Sequence, residues 1–483
     1  MPAFAPLPSG QSYFMINCTA EYADPAHSVN KRSAADQINM SVSFPRPSKN
    51  DHKQVWHLAT PIIVANLSVP MLGAVDTAVI GHLDQSFYLG AVAVGAVIFQ
   101  FIYWSFGFLR MGTTGLTAQA LGSKNYAEVQ AIFYRALILG AAIAIAIWLL
   151  QLPILWVALA LFEASEQVEI LGATYFHVRI WSAPAVLANY CLVGWFIGIR
   201  NTRAALLLQV WMNGLNILLD LLFVLGFGLD VAGVAAATVI SEYCAAGAGL
   251  VLFHRHARHM NIDRERPRII DGAKLKRMLF INLDIFIRTF CLLFAFSFFT
   301  AQAAKLNDDI LAANAVLIQF QHFLSFGLDG FAHAAEALVG GAIGAGNRAR
   351  LRAAVITSGY WALAIAVLYT IIYAGAGGLI IELLTGIEDV RALAGEFLVW
   401  LIISPIISVW SFMLDGIFIG ATRTREMRNG MLISLAIFIA AVFVLKPELG
   451  NHGLWLALML FMVARAVTLG VYYPKLERTV DRD

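Results

Sequence analysis

Charged residues are scarce in this sequence. Only 13% of its 483 residues are Asp, Glu, Lys or Arg, and 59% are hydrophobic. A soluble globular protein carries about 25% charged residues, so this chain cannot cover its surface with polar groups. Most of that surface must face lipid, which excludes a soluble globular protein.

Cysteine motifs and nucleotide-binding loops are missing as well. The four cysteines (Cys18, Cys191, Cys244 and Cys291) have no metal or redox spacing. No Gly-x-x-x-x-Gly-Lys-Ser/Thr loop occurs, which excludes a nucleotide-driven pump in this chain. Residues 1–53 are polar and contain no continuous apolar core of the kind that a signal peptide needs. They are predicted to form a disordered cytoplasmic tail.

Long apolar runs, in contrast, fill the rest of the sequence. A helix that crosses a membrane needs about 20 mostly apolar residues, and twelve segments reach this length. They lie at about 55–80, 88–118, 131–158, 170–199, 204–228, 232–254, 276–304, 310–340, 353–383, 392–421, 427–446 and 451–473. We therefore predict an all-α polytopic membrane protein with twelve transmembrane helices.

The two halves of the sequence repeat each other. When the sequence is shifted so that Tyr88 lies on Ile310, the whole segment Tyr88–Arg203 lies on Ile310–Arg425 without a gap. Identical pairs include Gly122 with Gly344, Asn125 with Asn347, and Gly194 with Gly416. A repeat of this length in an apolar chain predicts two homologous six-helix bundles around a central cleft, which is typical of transporters.

Positive charge is unevenly divided between the loops. One set of alternate loops is rich in Arg and Lys, whereas the opposite loops hold only Lys305, Arg391 and Lys446. The positive-inside rule therefore places both termini in the cytoplasm. The predicted domains are a tail (1–53), an N-terminal lobe (54–254), a cytoplasmic linker (255–275), a C-terminal lobe (276–473) and a second cytoplasmic tail (474–483).

Four polar side chains of the N-terminal lobe are predicted to form a cation site. Asp76 lies in helix one, Asn216 and Asp220 in helix five, and Thr238 in helix six. At about 1.5 Å per residue, Asp76, Asp220 and Thr238 all lie roughly 7–12 Å below the outer interface. Such buried carboxylates are expected to exchange protons near neutral pH or, with the neighbouring oxygens, to bind Na⁺. The alternative is a polar network that only joins helices.

A second polar network is expected among the remaining intramembrane groups. Its candidates are Asn213, Glu242, Asp284, Arg288, Asp329, Glu336 and Asp415. Ionisable groups within a span are costly and need a partner or a cavity. We expect Arg288 to form an ion pair with one of these acids, with Asp284, Asp329 and Glu336 as the partners to test first, and Arg110 to pair with an acid or a helix-end carbonyl.

Several of these residues lie in longer motifs. The motifs are Val75-Asp-Thr-Ala-Val-Ile-Gly-His82, Arg110-Met-Gly-Thr-Thr-Gly-Leu-Thr-Ala-Gln-Ala-Leu-Gly122, Asn216-Ile-Leu-Leu-Asp220 and Leu414-Asp-Gly-Ile-Phe-Ile-Gly-Ala-Thr-Arg423. They resemble the multidrug and toxic compound extrusion (MATE) transporters, and are most similar to the DinF-like branch of that family. The similarity extends from about Trp56 to Tyr473.

The resemblance implies a function as well as a fold. It implies two six-helix lobes with alternating access, and export of small amphiphilic or cationic organic compounds by antiport against protons or Na⁺. It assigns the cation site to Asp76, Asn216, Asp220 and Thr238. Asp415 matches the region where another branch has a C-lobe carboxylate, but that branch's glutamate on helix seven is absent here, where Asp284 is found instead.

The expected setting follows from the same resemblance. The chain is expected to be a monomer in the bacterial inner membrane, in contact with lipids and small organic substrates and not with nucleic acid. It is expected to be no enzyme and to need no cofactor besides the coupling ion.

Two other functions fit an apolar chain of this size. A flippase for a lipid-linked sugar shares the architecture, but it would line the cleft with many basic residues, and the intramembrane ones are few: Arg110, Arg179, Arg288 and Arg465. An intramembrane prenyltransferase is suggested by the Asn213, Asn216 and Asp220 spacing, but it needs a second acidic cluster for its metal, which the sequence lacks at that depth.

Overall fold

Helices account for nearly all of the chain that the structure describes. The computed structural model describes residues 47–80, 86–162, 165–260 and 268–480, and no strand occurs in these ranges. Residues 1–46 of the predicted tail lie outside them. The helices are α1 (Lys49–Ile80), α2 (Ser86–Ser105), α3 (Phe108–Gly122), α4 (Tyr126–Leu149), α5 (Gln151–Phe162), α6 (Glu166–Arg179), α7 (Ala183–Gly198), α8 (Thr202–Asp220), α9 (Asp230–His259), α10 (Gly272–Ala304), α11 (Asp308–Gly344), α12 (Arg348–Leu384), α13 (Glu388–Gly420) and α14 (Thr424–Thr479).

These helices supply the twelve predicted spans. Ten helical stretches of the described chain are long and apolar enough to cross a membrane, counting α2 with α3 and α6 with α7. One of the ten is α14, although Gly450 breaks it with φ 55° and ψ −129°. The two halves of α14, together with the 32-residue α1, bring the number to twelve.

The backbone repeats with the same offset as the sequence, the one that places Tyr88 on Ile310. Residues with positive φ are uncommon outside glycine, so their positions are a sensitive test of the repeat. The pairs are Lys124 (59°) with Gly346 (59°), Arg200 (64°) with Thr422 (51°), and Gly228 (67°) with Gly450 (55°). The offset therefore holds beyond Arg203, as far as the turn between the last two helices of each lobe.

A two-fold axis relates the N-terminal lobe (α1–α9) to the C-terminal lobe (α10–α14). A Cβ atom added at Gly122 would overlap the carbonyl of Gly341, and one added at Gly344 would overlap the carbonyl of Gln119. The offset of the repeat places Gly122 on Gly344 and Gln119 on Gly341, so the two contacts are equivalent. Equivalent contacts with the two lobes exchanged are what a two-fold axis produces. Because the paired helices α3 and α11 run in the same direction, the axis lies along the bundle.

The lobes are joined at one end of the bundle, which we call the basic end because Arg and Lys lie in its loops or directly beside them. These loops are 123–125, 199–201, 345–347 and 421–423, and their basic residues and neighbours include Lys124, Arg200, Arg348 and Arg423. Near this end, Gln119 Nε2 donates to the carbonyl of Gly420 (3.0 Å) and to Thr422 Oγ1 (3.2 Å). Closer to the middle, Asn66 Nδ2 donates to the carbonyl of Phe326 (3.4 Å). These contacts close the cleft at the basic end.

The linker between the lobes is held on the first turns of α4, at the basic end. Arg135 donates to the carbonyls of Arg268 (2.7 Å) and Ile269 (3.0 Å). Glu128, which precedes the apolar run of this helix, accepts from Arg135 and from Lys274, each at 2.7 Å. Burial acts to raise the pKa of the Glu128 carboxyl, but hydrogen bonds from the two cations outweigh burial and lower that pKa. Both flanking helices, α9 and α10, extend into the predicted linker 255–275.

Candidate functional site: a polar pocket in the N-terminal lobe

Helices α1 and α8 lie side by side and run in the same direction. Thr202 Oγ1 donates to the carbonyl of His57 (3.4 Å), and Asn213 Nδ2 donates to Ser68 Oγ (2.8 Å). Both pairs are 145 residues apart. A constant separation in sequence means that the two helices are parallel and keep one register over at least three turns.

This register, extended along α1, brings the backbone positions of the two N-lobe acids to the same level. A separation of 145 places Asp76 next to position 221, one residue from Asp220. The side chain of Asp220 is fully buried, with 0% exposure. Asp76 belongs to α1, but the placement of its side chain lies outside the part of the structure that is described. The helices therefore juxtapose these two positions, as the sequence predicts from their depths.

Helix α9 adds Thr238 to the same pocket. Asn216 Nδ2 lies 3.4 Å from Thr238 Oγ1, which itself donates to the carbonyl of Val234 (2.9 Å). Asn216 is 1% exposed, and its Oδ1 accepts no hydrogen bond from the described residues. Buried amide oxygens are normally satisfied, so Asn216 Oδ1 needs a donor or a cation from outside the described residues. The oxygens of Asn216, Thr238 and Asp220 are of the kind that a proton or a hard cation requires.

A π-helical segment follows Asp220 directly. It covers Leu221–Gly226, and the Phe227 amide donates to the carbonyl of Leu222 (3.0 Å), five residues earlier. π segments are rare and are frequent at functional sites. The wider turn lets α8 end beside the pocket before the chain reverses into α9. Nothing in the apolar sequence of this segment distinguishes it from an ordinary helix.

Glu242 belongs to a separate network, although it lies one turn after Thr238. Its carboxylate accepts two hydrogen bonds from Arg179, both 2.7 Å long. Arg179 also donates to Ser182, whose Oγ is 2.9 Å from the hydroxyl of Tyr103. This buried group joins α2, α6 and α9. Arg179 is conspicuous in the sequence as an intramembrane cation, but its partner could not be predicted.

Arg288 pairs with one of the intramembrane acids, as predicted, but the partner is Asp415 and not one of the three acids singled out for a test, Asp284, Asp329 and Glu336. Arg288 forms an ion pair with Asp415 on α13, and Arg465 on α14 reaches the same carboxylate oxygen at 2.6 Å. Asp284 instead accepts from Arg428 Nη1 (2.6 Å) and from Thr424 (3.0 Å). Asp284 lies one turn closer to the basic end than Arg288, beside the start of α14, and this position explains the difference.

Arg110 pairs with an acid of the other lobe. Its Nη1 lies 3.7 Å from Glu336 Oε2, and His333 Nδ1 lies 3.4 Å from the same oxygen. Asp329, one turn before His333, interacts electrostatically with His333, Arg110 and Arg288. Asp329 and Glu336 are therefore in the C-lobe half of a charged group that crosses the interface.

Two repeated bundles with a buried polar cluster between helices are the architecture of a two-lobed membrane transporter. The family comparison gives the same result at the level of sequence. The MatE family model matches residues 61–222 and again residues 285–445, once in each lobe. The chain belongs to the MatE family, whose members export drugs and toxic compounds.

Individual relatives cover most of the chain. DNA damage-inducible protein F from Escherichia coli K12 is 42% identical over 425 residues, which are 87% of this chain and 92% of that protein. Multidrug export protein MepA from Staphylococcus aureus MSSA476 is 22% identical over 438 residues, 89% of this chain and 95% of that one. A crystal structure of a MATE protein in the straight conformation has a TM-score of 0.81 at 19% identity, covering 90% and 97% of the two chains.

Proposed function

We propose that this transporter exports small amphiphilic or cationic organic compounds by antiport, and that Asp76, Asn216, Asp220 and Thr238 bind the coupling ion. The observation that carries this proposal is the packing of α1, α8 and α9. Their register juxtaposes two carboxylate positions and leaves Asn216 Oδ1 buried without a hydrogen bond among the described residues. Such intramembrane acids mark ion pathways in transporters.

A proton is the coupling ion that we favour. Two carboxylates at one level of an apolar lobe need a positive charge or a proton between them. Arg179, an intramembrane cation of this lobe, is already bound to Glu242 in two hydrogen bonds. A proton neutralises the pair without further ligands, whereas Na⁺ would need several oxygens around it.

Alternating access is the mechanism that we propose for the two lobes. If the basic end is cytoplasmic, as the positive-inside rule requires, the cleft is closed toward the cytoplasm in this conformation. The glycines at the two-fold axis allow a close approach of α3 to α11 that depends on backbone atoms alone. The lobes would then rotate as rigid bodies about this contact.

The substrate class is inferred from the relatives and from the composition. The name of MepA describes a multidrug exporter, and the family handles small organic molecules. A chain with 59% hydrophobic residues offers an apolar cleft in which amphiphilic compounds partition. We propose that the transporter acts as a single chain in the bacterial inner membrane.

The test is transport of a fluorescent organic cation in proteoliposomes, driven by a pH gradient or by a Na⁺ gradient alone. Asp76→Asn and Asp220→Asn should each abolish gradient-driven transport while the protein stays folded, because each removes an ionisable group and keeps its shape. The double variant should be little worse than either single one, since both belong to one site. Asp309→Asn, at an exposed carboxylate, is the matched control. Wild-type transport by Asp76→Asn would refute the proposed site.

A further inference from the structure

One buried ion pair crosses the interface between the lobes. Arg110 lies on α3 of the N-terminal lobe and Glu336 on α11 of the C-terminal lobe, with 3.7 Å between Nη1 and Oε2. The other buried pairs described above stay within one lobe: Arg179 binds Glu242, and Arg288 binds Asp415. The Arg110–Glu336 pair is therefore placed where a relative movement of the lobes would change it.

The Glu336 carboxylate has few partners besides Arg110 among the described residues. Its side chain is 0% exposed, and neither carboxylate oxygen accepts a hydrogen bond among the described residues. Arg110 Nη1 also makes no hydrogen bond there, and 3.7 Å is too long for one. A buried carboxylate without a counter-ion is costly, so the charge of Glu336 favours the position of Arg110, and thus the closed interface.

Few cations within its own lobe could replace Arg110. His333 is on the preceding turn of α11 and lies 3.4 Å from Glu336 Oε2. Arg288 and Arg465 both bind Asp415. If the lobes separated at the basic end, Glu336 would keep only His333 among these groups. Arg110 is 15% exposed and would lose less, because water can reach it.

We propose that Arg110 and Glu336 form an interlobe latch, which stabilises the conformation with a closed basic end and breaks once in every transport cycle. The latch is separate from the cation site in the N-terminal lobe and uses residues of both lobes. It rests on the proposed alternation of the lobes, and the experiment separates the two ideas.

The experiment measures how often the closed interface opens. Ala118 is fully buried and would touch a Cβ atom at Gly340 across the interface. In a variant without the native cysteines, an Ala118→Cys thiol reports opening through its rate of reaction with N-ethylmaleimide in proteoliposomes. Glu336→Gln should raise this rate about tenfold, within the range of typical coupling energies. Glu242→Gln, which breaks a buried pair within one lobe, should leave it unchanged.

A charge exchange distinguishes the latch from a general loosening. Arg110→Glu or Glu336→Arg alone should raise the labelling rate, and the two together should return it toward that of the wild type. An unchanged rate in Glu336→Gln, or an equal rise in Glu242→Gln, overturns the latch. If the Ala118→Cys thiol reacts in no variant, even with substrate and a pH gradient, then the lobes do not alternate and the proposed mechanism fails first.

Discussion

Asp415 is the carboxylate that the buried cations Arg288 and Arg465 both bind, and its removal should be the most damaging neutral change in the C-terminal lobe. Arg288 and Arg465 both bind Asp415, and all three side chains are less than a tenth exposed. These three bound side chains carry a net charge of +1. Asp415→Asn raises this to +2 and takes from both guanidinium groups the carboxylate that they bind, which leaves Asp329 as an acid that interacts with them at longer range. Breaking a buried pair in this way costs about 3–5 kcal/mol.

Removal of one cation should cost much less, and this difference is the sharpest part of the prediction. Arg465→Met leaves a neutral Arg288–Asp415 pair and removes one hydrogen bond to a charged group, a loss of at most about 1.5–3 kcal/mol. The assay is the midpoint of thermal unfolding in detergent for both variants beside the wild type. If Arg465→Met unfolds at a lower temperature than Asp415→Asn, the charge argument is wrong. If Asp415→Asn is stable but inactive, Asp415 takes part in coupling instead.

Two further predictions concern the interface and the linker. Gly122→Ala should abolish transport, because its methyl group would overlap the carbonyl of Gly341 and prevent the lobes from closing at the basic end. It should cost little stability in the conformation in which that end is open. Gly247→Ala, whose methyl group would have no neighbour within 4 Å, should transport normally. Glu128→Gln should lower the thermal midpoint at pH 7. Because the pKa of the Glu128 carboxyl is lower in the folded protein than its unfolded value of about 4.5, the ionised carboxylate stabilises the wild type at pH values above 4.5. This stabilisation is lost as the pH falls through the folded-state pKa. The thermal midpoints of variant and wild type should therefore converge below about pH 4.5.

The architecture could be predicted because it depends on features that can be read directly from positions in the sequence. Apolar run length fixes the spans, and the constant offset between the halves predicts a two-fold frame that positive φ values at Lys124, Gly346 and their counterparts confirm. The depth of a residue in the membrane also follows from its position in a helix, at about 1.5 Å per residue. It was sufficient to bring Asp76 and Asp220 to one level, which the parallel register of α1 and α8 supports.

That Arg110 and Arg288 pair with acids could be predicted, but the partner of each could not, because it depends on how each helix is rotated about its axis. Asp284 and Arg288 are four residues apart and could have paired along α10. Each instead meets a closer partner on another helix, Arg428 for the first and Asp415 for the second. Depth restricts a residue to a level of the bundle, and several helices present charges at each level. The rotations follow from side-chain packing throughout the lobe, which no local pattern encodes.

The two lobes share a backbone but not a polar pocket, and this difference bears on how the transporter works. The positions that correspond to Asn216 and Asp220 are Phe438 and Val442, both buried in the C-lobe core. The ring of Phe438 lies 5.5 Å from that of Phe461, so apolar packing fills the place of the N-lobe pocket. An ion that enters the N-terminal pocket therefore has no symmetric counterpart. Under the proposed function only the N-terminal lobe would change its charge, while Asp284 and Asp415 of the C-terminal lobe stay bound to cations of their own lobe. The change must then reach the C-terminal lobe through the interface.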